Sequence, residues 1–376
     1  MTKVDLHIVS FDVPYPADYG GVMDVYHKLK ALKDVGLSVV LHCFHYGRSE
    51  QEELKKVCAE VYYYPRKTGI MAQLSATPYI VSSRNHPSLL DHLSQDNAPI
   101  LFEGLHTTYF LGHPKLKGRK TAVRVHNLEA DYYKALSKQS SSLYKKSYYG
   151  IESQKLKYFD KRLALADVLF CLSKKEQDHY QSLHNDARYL PVFHPFVKRE
   201  DSLIKHIEDQ AIYFGNLAVE ENIEAVEFLI GIFNDLNYSL KIAGRGAESD
   251  LLKKIDECQQ AEYLGELSDS DLKRLIAESK VCCLPTPQAT GIKLKWVQAL
   301  FQANEIVLNR KMLVDDEFEE FCSLAESAAE WKAQIESAFK EELEEERIKK
   351  RIEKAAESFD NQTSAMILKE WCAEAP

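Results

Sequence analysis

The sequence predicts an α/β protein made of two Rossmann-like units, each with a parallel sheet. Short apolar runs of strand length alternate with longer segments whose apolar residues recur at helical spacing. A polar stretch marked by prolines interrupts this alternation near residues 189–209, after which it begins again. With 376 residues, the chain can build two domains of ordinary size, each with its own core.

Val4–Val9 is the first strand-like run, and it empties into a loop carrying Pro14 and Pro16 before Gly20-Gly21. Val22, Val25, Leu29, Leu32 and Val35 then recur as on one helical face until Gly36 ends the helix. A glycine pair in this place lets main-chain N–H groups face a phosphate at the mouth of the sheet; it also makes a plain turn. Leu37–Phe44 and Val61–Tyr64 follow as strands. His42 and Cys43 alternate to opposite faces, which makes them structural rather than metal ligands. Ile100–Glu103 runs into Gly104, Leu105 and His106, so Glu103 and His106 lie where open α/β sheets bind ligands, or else act as caps. Thr121–Val125 brings His126 to the same mouth at the start of a polar loop, and His126 is read as a site residue. Val168–Leu172 is the last strand read in this half, with Ser173 suited to cap a helix over Lys174–Tyr180.

A polar segment, Lys198–Asp209, follows Pro191 and Pro195 and marks the domain boundary. The second half reads as strand Ala211–Phe214, a helix from Asn222, strand Leu240–Ala243, helix Ala247–Gln259, strand Tyr263-Leu264, helix Asp269–Ser279 and a final parallel strand, Val281–Leu284. Ser268 with Asp271 is a helix start rather than a D-x-D metal motif. Pro285 and Pro287 end the last strand, and Gln288–Gln302 turns helical. Gly291 allows a ligand to approach the backbone closely. Lys293 and Lys295 set cations against the helix dipole; a bound anion would account for them, and simple solvation is the alternative. The charge-rich Glu341–Glu357 is helical, and Ala365–Cys372 has enough apolar surface to dock on a domain. The expected division is an N-terminal domain over 1–197, a C-terminal domain over 198–355 and a final helix over 356–376 packing back on the first domain.

Net charge of −9 argues against nucleic acid as the partner. No apolar run reaches transmembrane length, and Met1–Asp5 leads into a strand without a basic head, so a cytoplasmic protein is expected. The eight cysteines contain no C-x-x-C pair and fit buried reduced thiols. From Lys115 to Lys175, fifteen Lys and Arg stand against five Asp and Glu, a local balance of +10, with tyrosines interleaved. Such a surface suits peripheral contact with an anionic membrane, or is an ordinary solvated helix.

R-V-H-N-L-E with Tyr132-Tyr133, Y-F-G-N-L-A-V-E-E-N, I-A-G-R-G and T-G-I-K-L-K-W-V-Q-A-L-F occur in an order and spacing that resemble the GT-B glycosyltransferases of retaining family 4, over nearly the whole chain. The resemblance implies two Rossmann-like domains facing across a cleft, and transfer of a sugar from a UDP- or GDP-linked donor to a glycan or lipid-linked acceptor. It implies retention, with neither metal nor cofactor. Position by position it implies that His126, Lys293 and Arg245 are catalytic. Gly20, Gly21, Gly215, Asn216, Thr290, Gly291 and Gln298 would bind the donor, and Glu103 and His106 would lie on the acceptor side. The family's usual glutamate pair falls on Thr290 and Gln298, and its arginine and lysine fall on Asn216 and Asn222; Lys293 and Lys295 would replace the lost charge. A degenerate GT-B protein that binds a nucleotide or partner without catalysis is the alternative, and a sugar-nucleotide 2-epimerase of the same architecture a third reading.

Overall fold

The computed structural model describes residues 3–374 apart from 74, 141, 185, 201–206, 289, 290 and 292. The chain forms two compact units, one holding Met1–Pro195 and Phe359–Pro376 together with Gly291, the other Phe196–Ala289 with Lys293–Ser358.

The first unit is a seven-stranded parallel sheet of β1 (Leu6–Ser10), β2 (Val39–His45), β3 (Glu60–Pro65), β4 (Ile100–Glu103), β5 (Thr121–Val125), β6 (Val168–Cys171) and β7 (Ala187–Tyr189), in the order β3-β2-β1-β4-β5-β6-β7. Its central strands are buried along their whole length because both faces are covered, which is why they read as unbroken apolar runs. Val9, Phe102, Val123 and Leu169 pack on Leu89 and Leu93 on one face. Ile8, Leu101, Ala122 and Phe170 pack with Val25 and Leu29 on the other. The Asn361–Ala373 helix joins this second face through Leu368 and Trp371, whose ring meets Phe170 edge-on at 5.7 Å. His194 anchors the returning chain by donating its backbone N–H to Asn361 Oδ1 (3.1 Å), and its ring Nε2 bonds the Phe359 carbonyl (2.9 Å).

The second unit is a six-stranded parallel sheet of β8 (Glu208–Phe214), β9 (Ser239–Ala243), β10 (Ala261–Gly265), β11 (Ser279–Leu284), β12 (Glu305–Leu308) and β13 (Ser323–Leu324), ordered β10-β9-β8-β11-β12-β13. The run Val281–Leu284 is therefore not the last strand. Only Ala303-Asn304 separates β12 from the apolar Leu294–Gln302 helix, leaving no turn signal to mark it in the sequence. Similarly, β7 is too short to register as an apolar run. Ser173 and Ser268 are N-caps, as their spacing predicts: each hydroxyl accepts the backbone N–H three residues on. All eight cysteines are free thiols.

In each sheet the chain winds outward from a central strand in one direction, then returns and winds out in the other. The reversal lies between β1 and β4 in the first unit and between β8 and β11 in the second. The carboxyl ends of such strand pairs border the crevice where open α/β sheets take ligands. Glu103 and Gly104 close β4, Gly215 and Asn216 follow β8, and the segment from Pro285 to Lys293 follows β11.

Candidate functional site

At the β1/β4 mouth of the first unit, four charged side chains lie fully buried around His126. The Gly20–Asp34 helix places Asp24 and Lys28 one turn apart on its covered side, so Lys28 Nζ meets Asp24 Oδ2 at 2.9 Å. The same ammonium reaches Glu103 Oε1 at 2.6 Å. In register with Glu103 on the neighbouring strand, Arg124 turns its guanidinium to Asp24 Oδ1 at 3.0 Å. Burial alone would raise the pKa of both acids. Arg124 and Lys28 outweigh it for Asp24, and Lys28 and His126 outweigh it for Glu103, so both carboxyls are held below their ordinary range. Two carboxylates and two cations leave the cluster neutral.

His126 Nε2 lies 2.9 Å from Glu103 Oε2, and the carboxylate fixes that nitrogen as the donor. This leaves Nδ1 as the acceptor of the neutral ring. It is buried and makes no hydrogen bond among the described residues. A hydrogen-bond donor on a ligand would satisfy it. Glu103 itself is fully buried. Its side chain is bonded to Lys28 and His126, so within the protein it sets the His126 tautomer. Asp24, Glu103 and His126 offer ligand atoms within 4.8 Å of one another, as a metal site would. Lys28, bonded to both carboxylates, already supplies the cation that those oxygens require.

His106 is half-buried beside this cluster, 3.9 Å from Glu129 Oε1 and against the Phe11 ring, and burial keeps its pKa well below the ordinary value. Glu129 is buried in the first turn of the Glu129–Gln139 helix, and burial pushes its carboxyl up to about 7. Gly20 and Gly21 open their helix, whose N-cap residue Tyr19 makes no side-chain cap bond. Gly21 has a further, steric reason to be glycine: a Cβ there would come 2.6 Å from Phe11 Cζ.

In the second unit, the β8/β11 mouth gathers glycines and cations. A Cβ on Gly244 would fall 1.8 Å from the Gly215 carbonyl oxygen, so glycine is obligatory where the two loops cross. Arg245, between Gly244 and Gly246, extends outward 4.0 Å from Glu266. Lys293 is the N-cap residue of the Leu294–Gln302 helix. Its ammonium is held by Glu221 Oε1 at 3.1 Å and Thr286 Oγ1 at 3.4 Å. Burial would raise the pKa of Glu221; Lys293 foremost reverses this and keeps it lowered. Lys293 thus has an internal carboxylate partner, which the sequence reading of a cation at this helix start did not include. Lys295 donates to Asn222 Oδ1 (2.5 Å) and Tyr213 Oη (2.9 Å). Asn222 also donates to the Asn216 carbonyl at 2.7 Å, and Asn216 Oδ1 accepts the Ala218 N–H, which ties the loop after β8 to the helix that follows it. Gln298 is buried and directs its amide N–H to Gln302 Oε1 at 3.1 Å. Gly291 adopts φ +95°, where a side chain would be strained. Thr290 lies outside the described residues. At its far end the Leu294–Gln302 helix is tied down by Arg351, whose guanidinium donates to the carbonyls of Leu300, Ala303 and Asn304.

Several of these groups went unnominated from sequence: Asp24, Lys28, Glu129, Glu221, Thr286 and Tyr213. One signal was available, a charged i,i+4 pair inside the apolar stripe of the first helix, since Asp24 and Lys28 interleave with Val25, Leu29 and Leu32.

Residues 208–339 match the family model described as glycosyl transferases group 1. An uncharacterized 44.6 kDa protein in the cps region of Klebsiella pneumoniae is 27% identical over 312 residues, covering 78% of this chain and 79% of that protein. Among solved structures, Anabaena HepE in complex with UDP and glucose superposes with a TM-score of 0.66 at 11% identity, covering 97% of this chain and 98% of that one. A glycosyltransferase from Rickettsia africae also gives 0.66 at 11% identity, covering 100% and 99%. At such identity these structures establish the fold, which is that of the GT-B glycosyltransferases.

Proposed function

We propose that this glycosyltransferase, a GT-B protein whose residues 208–339 match glycosyl transferases group 1, moves a sugar from a nucleotide-diphosphate donor to a glycan or lipid-linked acceptor with retention at the anomeric carbon. The observation that carries the reading is the β8/β11 mouth, where Gly215 and Gly244 leave no room for side chains and Lys293 and Lys295 begin the helix after β11, with Arg245 on the loop after β9. Cations placed there neutralise the diphosphate as the bond from the anomeric carbon to the phosphate oxygen breaks and negative charge grows on the leaving group. The acceptor oxygen bonds to the anomeric carbon from the same face, and its proton passes to the departing phosphate oxygen. Nδ1 of His126 accepts a hydroxyl of the transferred sugar. With lysine and arginine carrying the charge work, transfer needs no metal, and EDTA leaves the rate unchanged. The relative in a cps region supports polysaccharide biosynthesis as the setting.

The test is turnover of UDP- and GDP-sugars, followed as release of nucleoside diphosphate with and without candidate acceptors. Slow donor hydrolysis that is lost in His126→Ala supports the reading. Protein that binds a nucleotide yet turns over no donor supports the alternative of a binding protein without catalysis.

Peripheral membrane contact belongs to the same proposal. No helix among the described residues is long and apolar enough to cross a membrane. Leu143, Tyr144, Ile151, Tyr158, Leu165 and Leu183 are exposed large apolar side chains in or near the basic stretch, beside the exposed Lys145, Lys146, Lys157 and Lys161. Lys155 does not share this role, because its ammonium is bonded to Glu152 and the Gln73 carbonyl. Reversing the four exposed lysines to glutamate is expected to abolish co-sedimentation with anionic vesicles; unchanged sedimentation ends the idea.

A further inference from the structure

The two lysines that begin the Leu294–Gln302 helix differ in their partners. Lys293 has a carboxylate, Glu221, while Lys295 has none within ion-pair distance among the described residues: its ammonium rests on the Asn222 amide oxygen and the Tyr213 phenol. The phenol in turn donates to Asn222 Oδ1 at 3.0 Å, so its oxygen is turned toward the ammonium. The ring face is also near, with Nζ 4.6 Å from its centroid. All of these partners are neutral. They orient an ammonium without cancelling its charge, and a largely desolvated cation held in this way is stabilised by an anion.

The place of this ammonium narrows what the anion can be. Nζ sits 2.9 Å from where a Cβ on Gly215 would stand, hence beside the backbone that leaves β8 at the switch point. We infer that Lys295, and not Lys293, is the cation that binds the donor diphosphate, with Lys293 serving to hold Glu221 and the loop that carries Thr286. This rests on the reading of the protein as a user of nucleotide-diphosphate sugars. It names which of two adjacent lysines touches the phosphates and what the other does.

The titratable and charged groups facing Lys295 agree with this assignment. Burial lowers its pKa to about 8; Glu221 on the neighbouring helix raises it, Lys293 lowers it and Cys282 on β11 raises it. Tyr213 on β8 stays protonated, since burial raises its pKa well above the ordinary value. At pH 8.5 a good part of Lys295 is therefore neutral, whereas a nucleoside diphosphate, whose terminal phosphate titrates near 6, is fully ionised. Binding at that pH must draw a proton onto the lysine, and the observed heat then depends on the ionisation enthalpy of the buffer.

The full-length protein is titrated calorimetrically with UDP and GDP, and the diphosphate that binds is carried forward. Lys295→Met is expected to weaken it by roughly 30-fold, as for loss of one hydrogen bond to a charged group, and Lys293→Met by less than about 5-fold. In wild type, binding at pH 8.5 takes up protons in paired buffers, and the uptake is absent in Lys295→Met. Because Nζ lies 2.5 Å from the Asn222 side chain, a lysine at 222 reaches the same place. Asn222→Lys combined with Lys295→Asn is therefore expected to recover most of the affinity. Equal binding by wild type and Lys295→Met, or a wild-type heat independent of buffer, overturns this inference alone. Wild-type protein that binds neither diphosphate overturns the donor reading together with it.

Discussion

At the β1/β4 mouth of the first unit, Asp24 and Glu103 meet Lys28 and Arg124 within 3.0 Å and out of reach of solvent; at the β8/β11 mouth of the second, Lys293 and Lys295 share one nearby carboxylate, Glu221. Both clusters occupy switch points of parallel sheets, so topology does not distinguish them. Charge balance does. The first set of ions is paired within the protein and surrounds His126, whose buried Nδ1 has no hydrogen-bond partner among the described residues. The second set has a cation in excess, and a charge left over at a ligand mouth is available to a substrate. Buried ions thus serve two ends in one molecule, scaffolding where they cancel and recognition where they do not.

The largest effect expected from this contrast comes from making the same lesion in both places. Lys28→Met leaves Glu103 without a bonded cation, held only by His126, and leaves Asp24 to Arg124, and is expected to cost about 3–5 kcal/mol of unfolding free energy in the first unit. Lys295→Met removes a cation that makes no ion pair among the described residues and leaves Tyr213 bonded to Asn222, so unliganded stability should change by less than about 1 kcal/mol. Denaturant unfolding monitored separately in the two units measures both. Equal losses would end the distinction between balanced and surplus charge.

Activity gives the next largest effect. His126→Ala is expected to lower donor turnover by on the order of 10²–10³-fold with a smaller loss of stability than Lys28→Met, since Glu103 keeps Lys28 as its ion partner when the ring is removed. Glu103→Gln removes one of two buried negative charges and frees the ring from its fixed tautomer, so it should lose both activity and stability. A Glu103→Gln protein with normal turnover would show that the carboxylate does not act through His126.

These clusters also mark how far local sequence patterns reach. Strands β1, β4, β5, β6, β8 and β11 were legible because burial on both faces makes each a continuous apolar run, and the ends of those runs located Glu103, His126, Gly215 and the helix after β11. The partners were not legible. Lys28 finds Glu103 across 75 positions, Arg124 finds Asp24 across 100, and Lys293 finds Glu221 across 72. No periodicity encodes such pairings. They follow from strand order, which places β4 between β1 and β5, and from the return of the chain to β11 beside β8. The helix-dipole argument rightly singled out Lys293 and Lys295 as needing an explanation, but it could not supply the carboxylate that one of them already has.

A smaller effect concerns an acid in the first unit that lies outside the balanced set. Glu129 is buried beside His106 with no lysine or arginine bonded to it among the described residues, and burial raises its carboxyl from 4.5 to about 7. The folded state then holds the proton more tightly than the unfolded chain. The resulting stability is fully present below about pH 4.5 and is lost as pH rises through about 7. Glu129→Gln removes that dependence. At pH 8 it should be roughly 1–3 kcal/mol more stable than wild type, and at pH 4 about equal to it, by thermal or denaturant unfolding. A variant less stable than wild type at pH 8 would mean that Glu129 has a cationic partner in solution and belongs to the balanced cluster after all.

The smallest effect, at Gly21, separates two reasons for a glycine pair. A phosphate cradle and room for an aromatic ring both favour Gly20-Gly21, and the structure shows the second directly: the Cβ of an alanine at 21 would lie 2.6 Å from Phe11 Cζ. Phe11 leans on His106 at 5.5 Å and on His126 at 5.4 Å between ring centroids, so displacing its outer edge disturbs the histidine that the neutral cluster exists to hold. Only the far end of one side chain must move, and Gly21→Ala is expected to cost about 1 kcal/mol, with a several-fold loss of turnover. Phe11→Leu shortens the ring's reach, and if crowding is the cause, the Phe11→Leu, Gly21→Ala pair should regain most of the stability lost by Gly21→Ala alone. If the glycine instead serves a phosphate, stability hardly changes on Gly21→Ala and diphosphate affinity falls, with no rescue from Phe11→Leu. The first outcome assigns the glycine to the scaffold around His126; the second gives the first unit an anion site of its own and removes the contrast with the surplus cation at Lys295.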